Sequence, residues 1–203
     1  MVAIDERRTE GLIALAHQKG YVHPRDAAGF GVSRAQFGRL VERGLLERVG
    51  YGLYRSPDAE ITEHHTLAQV AARAPAGVAC LLTALRFHDL TTQAPFEIWL
   101  AIERKAARPR LDDLPTRVLY FSGTAFTAGI EEHLVENVRV RVYSPAKTVA
   151  DCFKYRNKIG LDVALEALRE VWRARRATMD DLWCYATICR VANVMRPYLE
   201  TLA

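Results

Sequence analysis

Between Ser33 and Arg55 the sequence is punctuated so tightly that one local layout fits it best. Ser33 with Gln36 three residues on is a capping-box signature, which starts a helix by satisfying its free N–H groups. Phe37, Leu40 and Val41 then follow the i, i+3, i+4 spacing of one apolar face, and Gly44 ends the helix. The run from Leu45 to Arg55 turns on Gly50-Tyr51-Gly52, which predicts two short strands joined by a tight turn. Upstream, Ile4, Leu12, Leu15 and Ala16 predict a helix over 4–18 that stops at Gly20. Pro24 opens a short second helix over 24–28, and Gly29 to Val32 form a turn. Helix, short helix, turn, helix, hairpin is the order of a winged helix-turn-helix. In that fold the third helix enters the major groove and the hairpin lies beside the phosphates.

Charge points the same way. The formal net charge of +4 is concentrated in one stretch: Lys19, Arg25, Arg34, Arg39, Arg43, Arg48 and Arg55 face only Asp26, Glu42 and Glu47, and the rest of the chain balances. A confined arginine excess on a helix–hairpin module is the electrostatic footprint of nucleic-acid binding. Ser33, Arg34 and Gln36 sit at the start of the third helix. There Arg34 and Gln36 are placed for base edges, arginine pairing with guanine and glutamine with adenine. Arg39, Arg43, Arg48 and Arg55 are expected on phosphates, where they set affinity and register. Tyr51 at the hairpin tip is expected to touch the DNA backbone. Tyr54 fits the core equally well. A solvated arginine face on a winged helix used for protein docking is the competing reading.

Ser56-Pro57-Asp58 reads as a linker, dividing a 1–58 module from a 59–203 domain. In the longer part, helices are expected from Thr62 to Pro75 and from Val78 to His88. Phe96–Ile102 and Arg117–Phe121 are predicted strands. Ile130–Val135 and Val138–Val142 flank Glu136-Asn137 as a hairpin. Ser144-Pro145 opens a helix to about Asn157, and Gly160 precedes another with the stripe Leu161, Ala164, Leu165, Leu168, Val171 and Trp172. Thr178 with Asp181 starts a further helix, and Pro197 is expected to bend or divide the last one. The fold class is α+β: an N-terminal winged helix-turn-helix, then a mixed domain with a small sheet and a helical C-terminal part.

Two stretches carry a family resemblance: GVSRAQFGRLVERGLLERVGYGLYRSP (31–57) and SPAKTVADCFKYRNKIGLDVALEALRE (144–170). The order of features resembles the AbiEi antitoxins of type IV toxin–antitoxin systems over essentially the full length. The resemblance implies a winged helix that represses the operon's own promoter. It also implies a C-terminal domain that antagonises a nucleotidyltransferase toxin of the AbiEii kind. Within the second stretch, Lys147, Thr148 and Asp151 are candidates for an antitoxin surface. The alternative is that they fix a strand–helix junction, with Lys147 and Asp151 as an i, i+4 pair.

Catalytic constellations are weak. Glu103-Arg104-Lys105 after a strand fits half of a metal-dependent nuclease site, with Lys105 and Glu103 as its reactive pair. Such a site needs a second carboxylate from another element. Glu97 lies on the same strand only six residues earlier and fits poorly, and Asp89, on a helix end, is a possible partner. His64 and His65 are adjacent on a helix and diverge, so they cannot chelate one metal. No nucleophile elbow or phosphate-binding loop is present. Cys80, Cys152, Cys184 and Cys189 show no paired spacing and read as reduced side chains. No cofactor or metal and no enzymatic activity are expected. Asp5, Glu6 and Glu10 stand where a secretory signal would be basic then apolar, and no 18-residue apolar run occurs. A cytoplasmic protein without membrane contact is therefore expected.

Overall fold

Phe37 and Leu40 lose all solvent contact against Leu12, Val22 and Leu46, and this small apolar centre organises the first part of the chain. In the computed structural model, which describes residues 6–50 and 52–202, the chain forms two compact units. One comprises the residues up to Arg73 together with Leu134–Arg139. The other comprises Ala74–His133 and the residues from Val140 onward. The expected boundary at Ser56–Asp58 falls inside the first unit. Ser56 is buried with its hydroxyl 3.3 Å from His17 Nε2, while Pro57 and Asp58 are exposed.

The first unit runs α1 (Glu6–Lys19), β1 (Tyr21–Val22), a 3-10 turn (Asp26–Phe30), α2 (Arg34–Glu42), β2 (Glu47–Gly50), β3 (Leu53–Arg55) and α3 (His65–Arg73). Its strands form an antiparallel sheet in the order β1-β3-β2. Tyr54 belongs to the core, its ring 4.7 Å from that of Phe37. Glu136 completes this unit. It accepts hydrogen bonds from the Thr62 N–H (2.7 Å), the Thr62 hydroxyl (3.0 Å) and the Tyr21 hydroxyl (3.2 Å), and lies 2.7 Å from His65 Nδ1.

The second unit contains β4 (Val78–Ala79), α4 (Leu81–Phe87), β5 (Ile98–Glu103), β6 (Thr116–Phe121) and α5 (Thr124–Thr127). The hairpin β7 (Ile130–Val135) and β8 (Val138–Tyr143) follows, its residues 134–139 around the turn being those counted with the first unit, then α6 (Pro145–Lys154), α7 (Arg156–Ile159), α8 (Leu161–Arg173), α9 (Met179–Ile188) and α10 (Ala192–Leu199). The sheet order is β6-β5-β4-β8-β7, with β5–β6 and β4–β8 parallel and β4–β5 antiparallel. Its core joins Trp99, Ala101, Leu119 and Phe121 of the sheet to Val149, Phe153, Ala164, Leu168 and Leu182 of the helices. Glu136 and Asn137 at the hairpin turn have φ of 50° and 62°, the double positive φ of a type I′ turn.

Several expectations need correction. Val78 and Ala79 are not the start of a helix. They are a strand paired to Ala101 and Leu100 of β5 and to Val142 of β8, and α4 begins after Cys80. The helix opened by Pro145 ends at Lys154, with a separate turn after Tyr155. Pro197 lies inside α10, and the interruption comes earlier, around Arg190 (φ 59°) and Val191. No helix among the described residues is long and apolar enough to cross a membrane.

Candidate nucleic-acid interface

The helix α2 is set by its ends. Ser33 is its N-cap, with φ −78° and ψ 160°, and the Gln36 side-chain carbonyl accepts from the Ser33 N–H. At the other end Gly44, at φ 69°, donates to the Val41 carbonyl while Leu45 donates to the Leu40 carbonyl. These are the two bonds of a Schellman motif, which glycine permits because it has no Cβ to clash at positive φ. Phe37 and Leu40 are thereby fixed inward. Arg39 and Arg43 are left exposed on the outer side.

Arg48, on β2, is also exposed, with its Nε 3.3 Å from the Gly50 carbonyl just beyond a register shift in the hairpin. Three arginines, Arg39, Arg43 and Arg48, therefore stand in solvent within one small unit. Guanidinium groups in such positions suit phosphate oxygens, which take two parallel N–H donors. Gln36 has its carbonyl in the cap, which leaves the amide as the group that can reach a base edge. Arg34 is the first residue of α2, and its side chain lies outside the described atoms. Tyr51 lies outside the described residues. Beside the turn that precedes α2, the Arg8 guanidinium lies against Gly31. No local pattern in the sequence links those two positions, 23 residues apart.

Arg55 does not belong to this surface. Residue 55 lies on β3, the middle strand, opposite both Tyr21 and Glu47, and is only 7% exposed. Its Nη2 and Nε contact Glu47 Oε2 at 2.7 and 2.8 Å. A guanidinium held this way by its cross-strand partner is committed to the sheet and unavailable to phosphate.

Lys147, Thr148 and Asp151 are likewise not a surface. All three are buried in the second unit. Lys147 Nζ donates to both Asp151 oxygens, at 2.8 and 2.6 Å, and lies 4.0 Å from the centre of the Tyr143 ring. The Thr148 hydroxyl donates to the Tyr143 carbonyl, and the Cys189 thiol to Asp151 Oδ1. Burial pushes the Asp151 carboxyl above its ordinary range, and Lys147 opposes that shift. The motif that carries the second half of the family resemblance is thus a polar knot inside the core.

The nuclease reading gains nothing from the geometry. Glu103 and Lys105 are exposed, and Glu97 is paired to Arg117 at 2.5 Å. Among the described residues no group of three or more His, Cys, Asp or Glu side chains is placed to hold a metal.

Residues 12–57 match the family model described as the transcriptional regulator, AbiEi antitoxin. That segment contains α2, the hairpin and the exposed arginines. Among solved structures, the RV2827C protein from Mycobacterium tuberculosis is similar over 89% of this chain and 71% of that one, with TM-score 0.58 and 12% identity. At that identity the likeness concerns the fold alone. No curated protein matches the sequence.

Proposed function

We propose that the chain is a DNA-binding transcriptional repressor and antitoxin, with a winged helix-turn-helix in its first unit that binds double-stranded DNA at its own promoter. One observation carries this reading. The segment that matches the AbiEi regulator model, residues 12–57, is also where the net positive charge collects, and α2 turns Arg39 and Arg43 to solvent. In this reading the start of α2, at Ser33, Arg34 and Gln36, addresses bases. Arg39, Arg43 and Arg48 hold phosphates and Tyr51 approaches the backbone at the hairpin tip. Residues 59–203 antagonise a nucleotidyltransferase toxin, as the resemblance implies, and no reaction is assigned to the chain itself.

The test is anisotropy titration of the full chain against its own upstream region and a scrambled duplex, at several salt concentrations. The reading requires tighter binding to the native sequence and a steep loss of affinity with salt. Equal affinity for both duplexes removes the repressor assignment. Growth rescue on co-expression with a cognate nucleotidyltransferase tests the antitoxin half separately, and no rescue removes it.

A further inference from the structure

β6 is one of the two outer strands of the second unit's sheet, β7 being the other. Its hydrogen bonds to β5 are fixed by the register Ile98↔Thr116 to Glu103↔Phe121, with Ile98 N–H donating to Pro115 and Arg104 N–H to Phe121, each at 2.7 Å. In a parallel pair with that register, residues 117, 119 and 121 spend both backbone groups on β5. Thr116, Val118 and Tyr120 direct theirs to the open side. Three consecutive open positions make a template for one further strand.

Natural sheets protect such an edge with shortness, proline, bulges or outward charge. β6 is six residues long, has no proline within it, and runs in continuous register with β5. Its single charge, Arg117, is folded back onto its own sheet. The guanidinium pairs with Glu97 and lies 4.6 Å from the centre of the Trp99 ring. The repulsion that would keep two such edges apart is therefore neutralised internally. Beside the open groups, Tyr120 is 47% exposed.

We infer that β6 pairs antiparallel with β6 of a second copy of this chain, about a two-fold axis at Val118. This register follows from the open positions, since only residues 116, 118 and 120 can exchange bonds outward. Val118 then faces its own counterpart, and Thr116 faces Tyr120 of the second copy twice over. Valine–valine and threonine–tyrosine are cross-strand pairs of residues that favour strands. Arg117 falls opposite Leu119, so no like charges meet. A strand pair of this length buries less than the ~1,000 Å² expected of a durable interface, so the dimer is weak and concentration-dependent. The surface is independent of the DNA-binding reading and is tested without DNA.

Sedimentation velocity of the full chain from about 5 to 500 µM should show a reversible monomer–dimer exchange. Val118→Pro removes an outward N–H without touching the bonds to β5, and should leave a monomer of unchanged circular dichroism. If that variant misfolds, Val118→Lys places charge on the axis and serves the same purpose. Register is read by cross-linking in a Cys184→Ser background, where the remaining cysteines are buried. Val118→Cys should oxidise to a covalent dimer. Thr116→Cys or Tyr120→Cys alone should cross-link at least tenfold less, and the two mixed should give the heterodimer. A chain that stays monomeric at 500 µM with no Val118→Cys dimer overturns the inference. Equal cross-linking of Tyr120→Cys alone also overturns it, because the register would be wrong.

Discussion

Lys147 and Asp151 form an ion pair wholly inside the second unit, one ammonium bridging both oxygens of one carboxylate a helical turn away. Neither charge has water to fall back on, so removing one strands the other. Lys147→Ala or Asp151→Ala should each destabilise the unit by about 3–5 kcal/mol. The double variant Lys147→Met/Asp151→Leu should recover most of that loss, because it removes both charges and keeps the volume. Urea denaturation of the four proteins measures this. A Lys147→Ala variant as stable as wild type would mean that the pair is not buried in solution.

The same pair constrains Gly129. At φ 72°, this residue lies where a Cβ would come within 2.8 Å of Lys147 Cβ and 3.0 Å of the Tyr185 ring. Both the backbone angle and the space require glycine there. Gly129→Ala should destabilise by more than the ~1 kcal/mol that positive φ alone costs, and should do so even in a Lys147→Ala background, because alanine keeps the Cβ and removes only the Cγ at 3.1 Å. A Gly129→Ala variant as stable as wild type would refute the contact.

How much of this was legible depended on whether a signal was local. The ends of α2 and the Thr178–Asp181 cap of α9 are written in neighbouring residues, and so is the Glu136-Asn137 turn; the structure contains each. Val78-Ala79 was not readable, because two residues carry no period and their strand character comes from β5 and β8. The burial of Lys147 and Asp151 did have a sequence signal. That signal is only the lack of acidic or basic residues at the other positions of their helix: Pro145 to Phe153 carries Lys147, Thr148 and Asp151 among apolar residues, a pattern that reads as an ordinary solvated polar face, and the packing alone buries all nine. Nothing local distinguishes Arg55 from the exposed arginines, because its burial depends on lying on the middle strand, which only the pairing of β1 with β3 reveals.

Acid should loosen the first unit through Glu136. Its desolvation favours the protonated form, but the hydrogen bonds from Thr62 and the contact with His65 outweigh it and hold the carboxyl below its ordinary value. A carboxylate with a depressed folded pKa contributes stability that is present above the unfolded pKa, about 4.3 for glutamate, and is lost as pH falls through the folded one. The melting temperature should therefore fall between about pH 5 and pH 3, and Glu136→Gln should flatten part of that slope while costing stability at pH 7. An identical pH profile for the variant would show that the carboxylate contributes no linkage.

The exposed and buried arginines of residues 39–55 should separate cleanly. Arg39→Ala and Arg48→Ala remove solvent-facing charge without touching the core, so melting should shift little. If each holds a phosphate, affinity for every duplex should drop alike and the salt slope should shallow by about one unit per residue removed. Arg55→Ala should do the reverse. It breaks the pair with Glu47 in the middle of the sheet and lowers the melting temperature, while a sample still folded at low temperature keeps its salt slope. A loss of DNA affinity by Arg55→Ala at full fold, with a shallower slope, would return that residue to the interface and require β3 to open when DNA binds.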